Sequence, residues 1–157
     1  MTPEKITEFV YREARILDLM RWDEWLGMFH ADGRYWMPLE WQQTDPELEP
    51  SLMYEDMLLL KVRVERLAGE RTFSQKPKSR CHHLLQAPQI IDIDAEVGRC
   101  SARTSFLYTE TRGDALERFS GWATHELVEI EGDLKIMRKR IDLINFDAPF
   151  GNIQLFM

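Results

Sequence analysis

The sequence lacks the parts that most chemistries require. Its two cysteines, Cys81 and Cys100, lie far apart. Alone they cannot make a four-ligand zinc or iron–sulfur site, and such a pair reads as two buried thiols. The eight glycines are scattered, and none falls into GxGxxG or GxxxxGK[ST], which excludes the phosphate-cradling loops. No serine stands in a G-x-S-x-G elbow, and no histidines repeat at the i,i+4 spacing of a helical metal site. The longest apolar run, Met57 to Leu60, is far short of the roughly 18 residues that a membrane helix needs. The opening MTPEKITEF has neither a basic start nor an apolar core for export, so a cytoplasmic location is expected. Basic residues number 20 against 27 acidic, giving a net charge of −7 and a pI near 5.1. That balance argues against nucleic-acid binding, which needs a basic face. One local exception, Arg71, Lys76, Lys78 and Arg80 with Pro77 and Phe73, reads as a solvated or partner-facing loop.

What is present is ordinary in bulk and dense in one place. With 157 residues, 44% apolar and 30% charged, the chain is expected to form a single soluble domain (1–157) around one sizeable core. The dense stretch is Tyr11 to Pro38, where Trp22, Trp25, Tyr35 and Trp36 stand close together beside Met28 and Phe29. So many large side chains need a sheet wrapped over them. Thr2-Pro3 opens a helix in which Ile6, Phe9, Val10, Ala14 and Leu17 form the apolar stripe, while Glu4, Lys5, Glu8, Arg12, Glu13 and Arg15 take the polar faces. A break at Met20-Arg21 leads into a second helix, Trp22 to His30, ended by Asp32-Gly33, and a strand from Arg34 closed by Pro38. Leu39 to Ser51 is a loop. A third helix is predicted over about Tyr54 to Leu67, with Gly69 as its stop.

Beyond the basic loop the period changes from helical to alternating. A run over Arg80 to Asp94 is interrupted at Pro88, which implies an edge or a bulge. Over Arg99 to Thr111, Cys100, Ala102, Thr104, Phe106 and Tyr108 alternate with polar residues; Arg112-Gly113-Asp114 then turns the chain into Leu116 to Ile130. Gly132-Asp133 turns it again into Leu134 to Phe146. There the apolar phase slips across Met137 to Arg140, which predicts a bulge. Three helices followed by a meander of long strands give an α+β fold, with the helices held in a strongly curved antiparallel sheet shaped as a cone.

Few residues are placed for chemistry. His82 and His83 are adjacent on a strand, so at most one faces the interior. That one reads either as a packed core imidazole or as a general base near Asp23 or Asp32. Asp23, Asp32, Tyr35 and Tyr54 form an acid and phenol set of the kind used in enolisation and dehydration. Turn and helix-end roles also account for the two aspartates. His30 and His125 are isolated, and Trp22, Trp25, Trp36, Trp41 and Trp122 read as core and interface area.

These residues also carry a resemblance. The segment FVYREARILDLMRWDEWLGMFHADGRYWMP resembles the opening of the small (beta) subunits of bacterial aromatic-ring-hydroxylating, Rieske-type dioxygenases. The matching positions are Tyr11, Glu13, Ala14, Ile16, Leu17, Asp18, Trp22, Trp25, Leu26, Tyr35, Trp36, Met37 and Pro38. Ser79-Arg80 with His83-Leu84, and the ending Asn152-Ile153-Gln154-Leu155-Phe156, are similar to later family segments. The chain departs from the family at Lys76-Pro77-Lys78, His82 and Gln86.

The resemblance implies the cystatin-like cone of ketosteroid isomerase and scytalone dehydratase. It further implies an α3β3 assembly with other beta subunits and an alpha subunit that holds a Rieske [2Fe–2S] cluster and a mononuclear iron. On that reading this chain is a structural subunit with no catalytic, cofactor-binding or metal residues of its own. The complex would use O2 and NADH-derived electrons to cis-dihydroxylate an aromatic compound. The competing reading is a stand-alone cone-fold isomerase or dehydratase using His83, Asp32 and Tyr54. What separates the two is whether Trp25, Phe29, Trp36 and Phe106 fill the cone.

Overall fold

Helix α1 (Pro3–Asp18) starts where the cap residues put it: Thr2 Oγ1 accepts the Lys5 N–H at 3.3 Å, and Pro3 takes the first position. The computed structural model describes residues 1–68, 77–148, 153 and 155–157. The helix closes on Met20, at φ 53°. The Met20 N–H donates to Leu17 O at 2.9 Å, and the Arg21 N–H donates to Ile16 O at 3.0 Å. This paired closure usually recruits glycine for the left-handed residue. The expected break at Met20-Arg21 is therefore a true helix stop, and α2 (Trp22–Leu26) follows at once.

The remaining elements are β1 (Phe29–Pro38), β2 (Ser51–Asp56), α3 (Met57–Ala68), β3 (Arg80–Leu85), β4 (Gln89–Asp94), β5 (Arg99–Arg112), β6 (Ala115–Ile130) and β7 (Asp133–Leu143). They build a seven-stranded sheet in the order β2-β1-β7-β6-β5-β3, with β4 also paired to β5. Pro88 separates β3 from β4, and the two lie one after the other along the same edge of β5. Glu131 and Gly132, at φ 51° and 88°, make the β6–β7 turn one residue earlier than expected, with the backbone hand that two-residue hairpins favour. The predicted bulge is Met137: Glu126 pairs with Arg138 and Leu127 with Ile136, which leaves Met137 without a partner.

Several expectations are corrected. The second helix ends at Leu26 rather than His30, because β7 captures the chain: Met28 O accepts the Ile136 N–H at 2.9 Å. Asp32-Gly33 then lies inside β1, and a Cβ on Gly33 would sit 2.8 Å from Ile136 O. The sheet is not wholly antiparallel, since β1 runs parallel to β7. Tyr54 is a strand residue opposite Trp36; α3 waits for Asp56, whose Oδ1 accepts the Leu59 N–H at 2.9 Å as a cap. The last strand stops at Leu143 rather than Phe146. Gly69, Arg71, Phe73, Lys76, Asn152 and Gln154 lie outside the described residues.

The three helices lie on one face of the sheet, and the core fills the space between. Trp25, Phe29, Tyr35, Phe106, Tyr108 and Phe156 all belong to it. Trp36 does not. Alternation along β1 turns Tyr35 and Met37 inward and Trp36 outward. There it is buried beneath the Arg138 and Arg140 guanidinium groups, 5.4 and 4.4 Å from its ring, and its indole N–H donates to Ser51 Oγ at 2.9 Å. Trp41 and Trp122 also stack edge to face on that outer side, with Arg103 over Trp122.

Candidate functional site

The most polar part of the interior is assembled from four elements. Helix α1 repeats its buried side chains through Ile6, Phe9, Val10, Glu13, Ile16 and Leu17, so Glu13 lies on the core stripe and not on a polar face. On β6, His125 is in phase with Phe119, Ala123 and Leu127. On β7 the bulge at Met137 resets the alternation, which turns Lys139 inward with Ile141 and Leu143. Trp25 of α2 completes the group.

Glu13 receives all of them. Lys139 Nζ and the Trp25 indole N–H each donate to its Oε1 at 2.9 Å, and His125 Nε2 lies 2.7 Å from its Oε2. The Glu13, His125 and Lys139 side chains are only 2–3% exposed. Burial pushes the Glu13 carboxyl up, but Lys139 and His125 outweigh it and hold the group well below the usual carboxylate range. Burial pulls Lys139 down against the attraction of Glu13. The ion pair is thus anchored on the carboxylate, which has three donors, whereas the ammonium gains one acceptor.

Beside it lies a second, partly buried pair, in which the His83 side chain is enclosed and Asp18 is half-buried. His83 Nδ1 is 2.7 Å from Asp18 Oδ1, and the same oxygen accepts the His83 backbone N–H at 2.9 Å. The Tyr108 ring stacks at a tilt on His83, with centroids 4.9 Å apart. Burial lowers the His83 pKa; the Asp18 hydrogen bond and charge resist this and Lys139 adds to it, so the neutral imidazole is favoured. Unfolding releases the group to an ordinary histidine near 6.5, so below that pH the unfolded chain binds more protons. Glu13 acts in the same direction below 4.5. Acidification from neutrality is therefore expected to lower the melting temperature first below about pH 6.5, then more steeply below 4.5, as followed by thermal melts. A profile that stays flat until the carboxylates begin to protonate would show that His83 is not held neutral.

His83 and His125 line the same small cavity, closed by Leu85, Phe106 and Met157, in which only about 10 Å³ remains free. That admits about one water molecule and no organic substrate. Three of the residues singled out from the sequence, His83, His125 and Tyr35, lie inside; the other histidine, acid and phenol candidates are scattered. His82 points to solvent, as strand geometry requires. The Asp32 side chain is 81% exposed and Asp23 is also exposed. Tyr54, opposite Trp36, lies on the outer face, in an open groove with Arg34, Arg99 and Arg138. Tyr35 is sealed inside: its OH donates to Met157 O at 3.2 Å, and burial raises its pKa. His83, Asp32 and Tyr54 are thus never brought together. The sequence reading missed Glu13, Asp18 and Lys139 as members of the polar interior, although Glu13 sits in the stripe period and Lys139 two residues before Ile141 and four before Leu143.

The thiols are equally unavailable. Burial pushes Cys81 up to about 12 and Cys100 up to about 11. Cys81 sits opposite Glu110, ten positions along β5 from Cys100, or roughly 33 Å at strand spacing. A Rieske site needs two cysteines and two histidines on one cluster, so this donor set does not fit it.

Comparison with known proteins agrees across nearly the whole chain. The family model described as "Ring hydroxylating beta subunit" matches residues 12–147. The 2-halobenzoate 1,2-dioxygenase small subunit of Burkholderia cepacia is 30% identical over 146 residues, covering 89% of this chain and 87% of that protein. The crystal structure of the beta subunit of benzoate 1,2-dioxygenase from Burkholderia mallei superposes with a TM-score of 0.76 at 26% identity, covering 96% of this chain and 95% of that one. At the level of fold alone, an NTF2-like protein with a cystatin-like fold from Novosphingobium aromaticivorans matches with a TM-score of 0.65 at 11% identity, covering 90% and 81%. With a cystatin-like α+β fold and these relatives, the chain belongs to the beta-subunit family of aromatic-ring-hydroxylating dioxygenases.

Proposed function

We propose that this chain is a non-catalytic structural subunit of a multicomponent dioxygenase that adds O2 to an aromatic ring, forming a cis-dihydrodiol with NADH-derived electrons. The observation that carries the reading is how tightly the interior is packed among the described residues. A cavity of about 10 Å³ cannot hold an aromatic ring, and ligand sites run to a few hundred Å³. Iron chemistry is assigned to a cytoplasmic alpha-subunit partner that holds the Rieske [2Fe–2S] cluster and a mononuclear iron, in an α3β3 assembly with further copies of this chain. The role left to this subunit is to present a rigid sheet. Its outer face carries Trp41, Trp122 and the Arg103, Arg138 and Arg140 guanidinium groups, a mixture of aromatic and arginine side chains typical of interface cores.

Co-expression with a Rieske-type alpha subunit tests this. A hexamer-sized particle is expected on sizing, with iron and acid-labile sulfide in proportion to the alpha subunit only. The purified beta chain alone should give no turnover. Failure to associate with any such partner would overturn the assembly. A turnover of the isolated chain that His83→Ala abolishes would instead favour an isomerase or dehydratase built on the Asp18–His83 pair.

A further inference from the structure

We propose that the centre of the cone is a built binding site for one water molecule, held by His83 Nε2, His125 Nδ1 and Thr104 Oγ1. Each of these three atoms is buried and has no hydrogen-bond partner among the described residues, and all three residues line the one small cavity. Buried polar atoms left so are uncommon, and three around one void point to a shared ligand. The free space of about 10 Å³ sets the size of that ligand at a single water.

The hydrogen-bond roles fit water and little else. Asp18 accepts from His83 Nδ1 at 2.7 Å, which leaves His83 Nε2 as a lone pair in the neutral ring. Glu13 accepts from His125 Nε2 at 2.7 Å, so the tautomer that serves this bond with a neutral ring has its lone pair on Nδ1. Thr104 has one O–H to give. A water donates one proton to each imidazole and accepts from the threonine, so every group is satisfied at once. A cation fits poorly, because the Lys139 ammonium lines the same cavity. With the water in place, one hydrogen-bonded run extends from Asp18 through His83, the water, His125 and Glu13 to Lys139 and Trp25. It ties α1 and α2 to β3, β5, β6 and β7, and it fixes the tautomers of both histidines.

Three measurements on the full-length chain, in its complex or alone, test the site. A high-resolution crystal structure should show one water at ordinary hydrogen-bond distance from all three atoms. Nitrogen-15 NMR should find His83 protonated only on Nδ1 and His125 only on Nε2 at neutral pH. Water-17O relaxation dispersion should lose the contribution of one long-residing water in Thr104→Val. An empty void, a metal at coordination distance, the opposite tautomer on either ring, or an unchanged dispersion in a folded Thr104→Val would overturn the proposal. If that variant does not fold, the crystal structure and tautomers of the unaltered chain decide.

Discussion

Glu13→Ala is expected to destabilise the chain by about 3–5 kcal/mol, the range for removing one partner of a buried ion pair. Three donors converge on this carboxylate, and none has another acceptor at that end of its side chain among the described residues. Alanine strands the Lys139 ammonium, which is 3% exposed, and leaves the Trp25 indole and His125 Nε2 without a partner. Unpaired buried groups each cost their full desolvation, which is why the loss exceeds the net worth of the hydrogen bonds. Urea denaturation should show a lower midpoint with an unchanged slope. The double change Glu13→Leu with Lys139→Met should recover a large part of the loss, because it removes both charges and keeps volume. A single-variant loss below about 1 kcal/mol would mean that water reaches the pair and the interior is not closed.

That such a group sits on α1 was partly legible. Glu13 falls three and four residues from Phe9, Val10, Ile16 and Leu17, so the helical period alone puts it on the buried stripe. Reading charge as a sign of exposure moved it to the polar face. Lys139 was hidden in the same way: the phase slip in β7 was visible, but its consequence, an inward lysine, follows only once Met137 is known to be the extra residue. Strict alternation made β5 readable almost to the residue, from Cys100 to Tyr108. The short elements were not readable. Phe29 and His30 continue a helical pattern, and only the long-range pairing with β7 draws them into a strand; likewise Tyr54 is claimed by Trp36 across the β1–β2 ladder. Asp18 could be named from the sequence only as a family position. Its bond to His83 joins residues 65 positions apart, and no local pattern encodes that.

Trp25→Ala should cost a comparable 3–5 kcal/mol, and here packing is the cause. Trp25 is fully buried at the meeting point of three other rings: Phe156 at 4.2 Å, Phe29 at 5.0 Å and Tyr35 at 6.1 Å between centroids. The neighbours are themselves pinned, Tyr35 by both backbone groups of Met157 and Phe29 by the start of β1, so the cavity left by alanine has little means to collapse. Trp25→Phe separates the two contributions. It keeps most of the ring contact and removes the 2.9 Å bond to Glu13, so a smaller loss of about 1–2 kcal/mol is expected. Because Trp25 and Glu13 touch, the paired variant Trp25→Phe with Glu13→Ala should lose less than the sum of the two singles in urea melts. Strict additivity would mean that the indole bond contributes nothing. A domain of this size has roughly 5–15 kcal/mol in total, so Trp25→Ala should also reduce recovery of the assembled complex when the subunits are co-expressed. Normal assembly by that variant would indicate that the alpha subunit, rather than the ring cluster, holds the cone in shape.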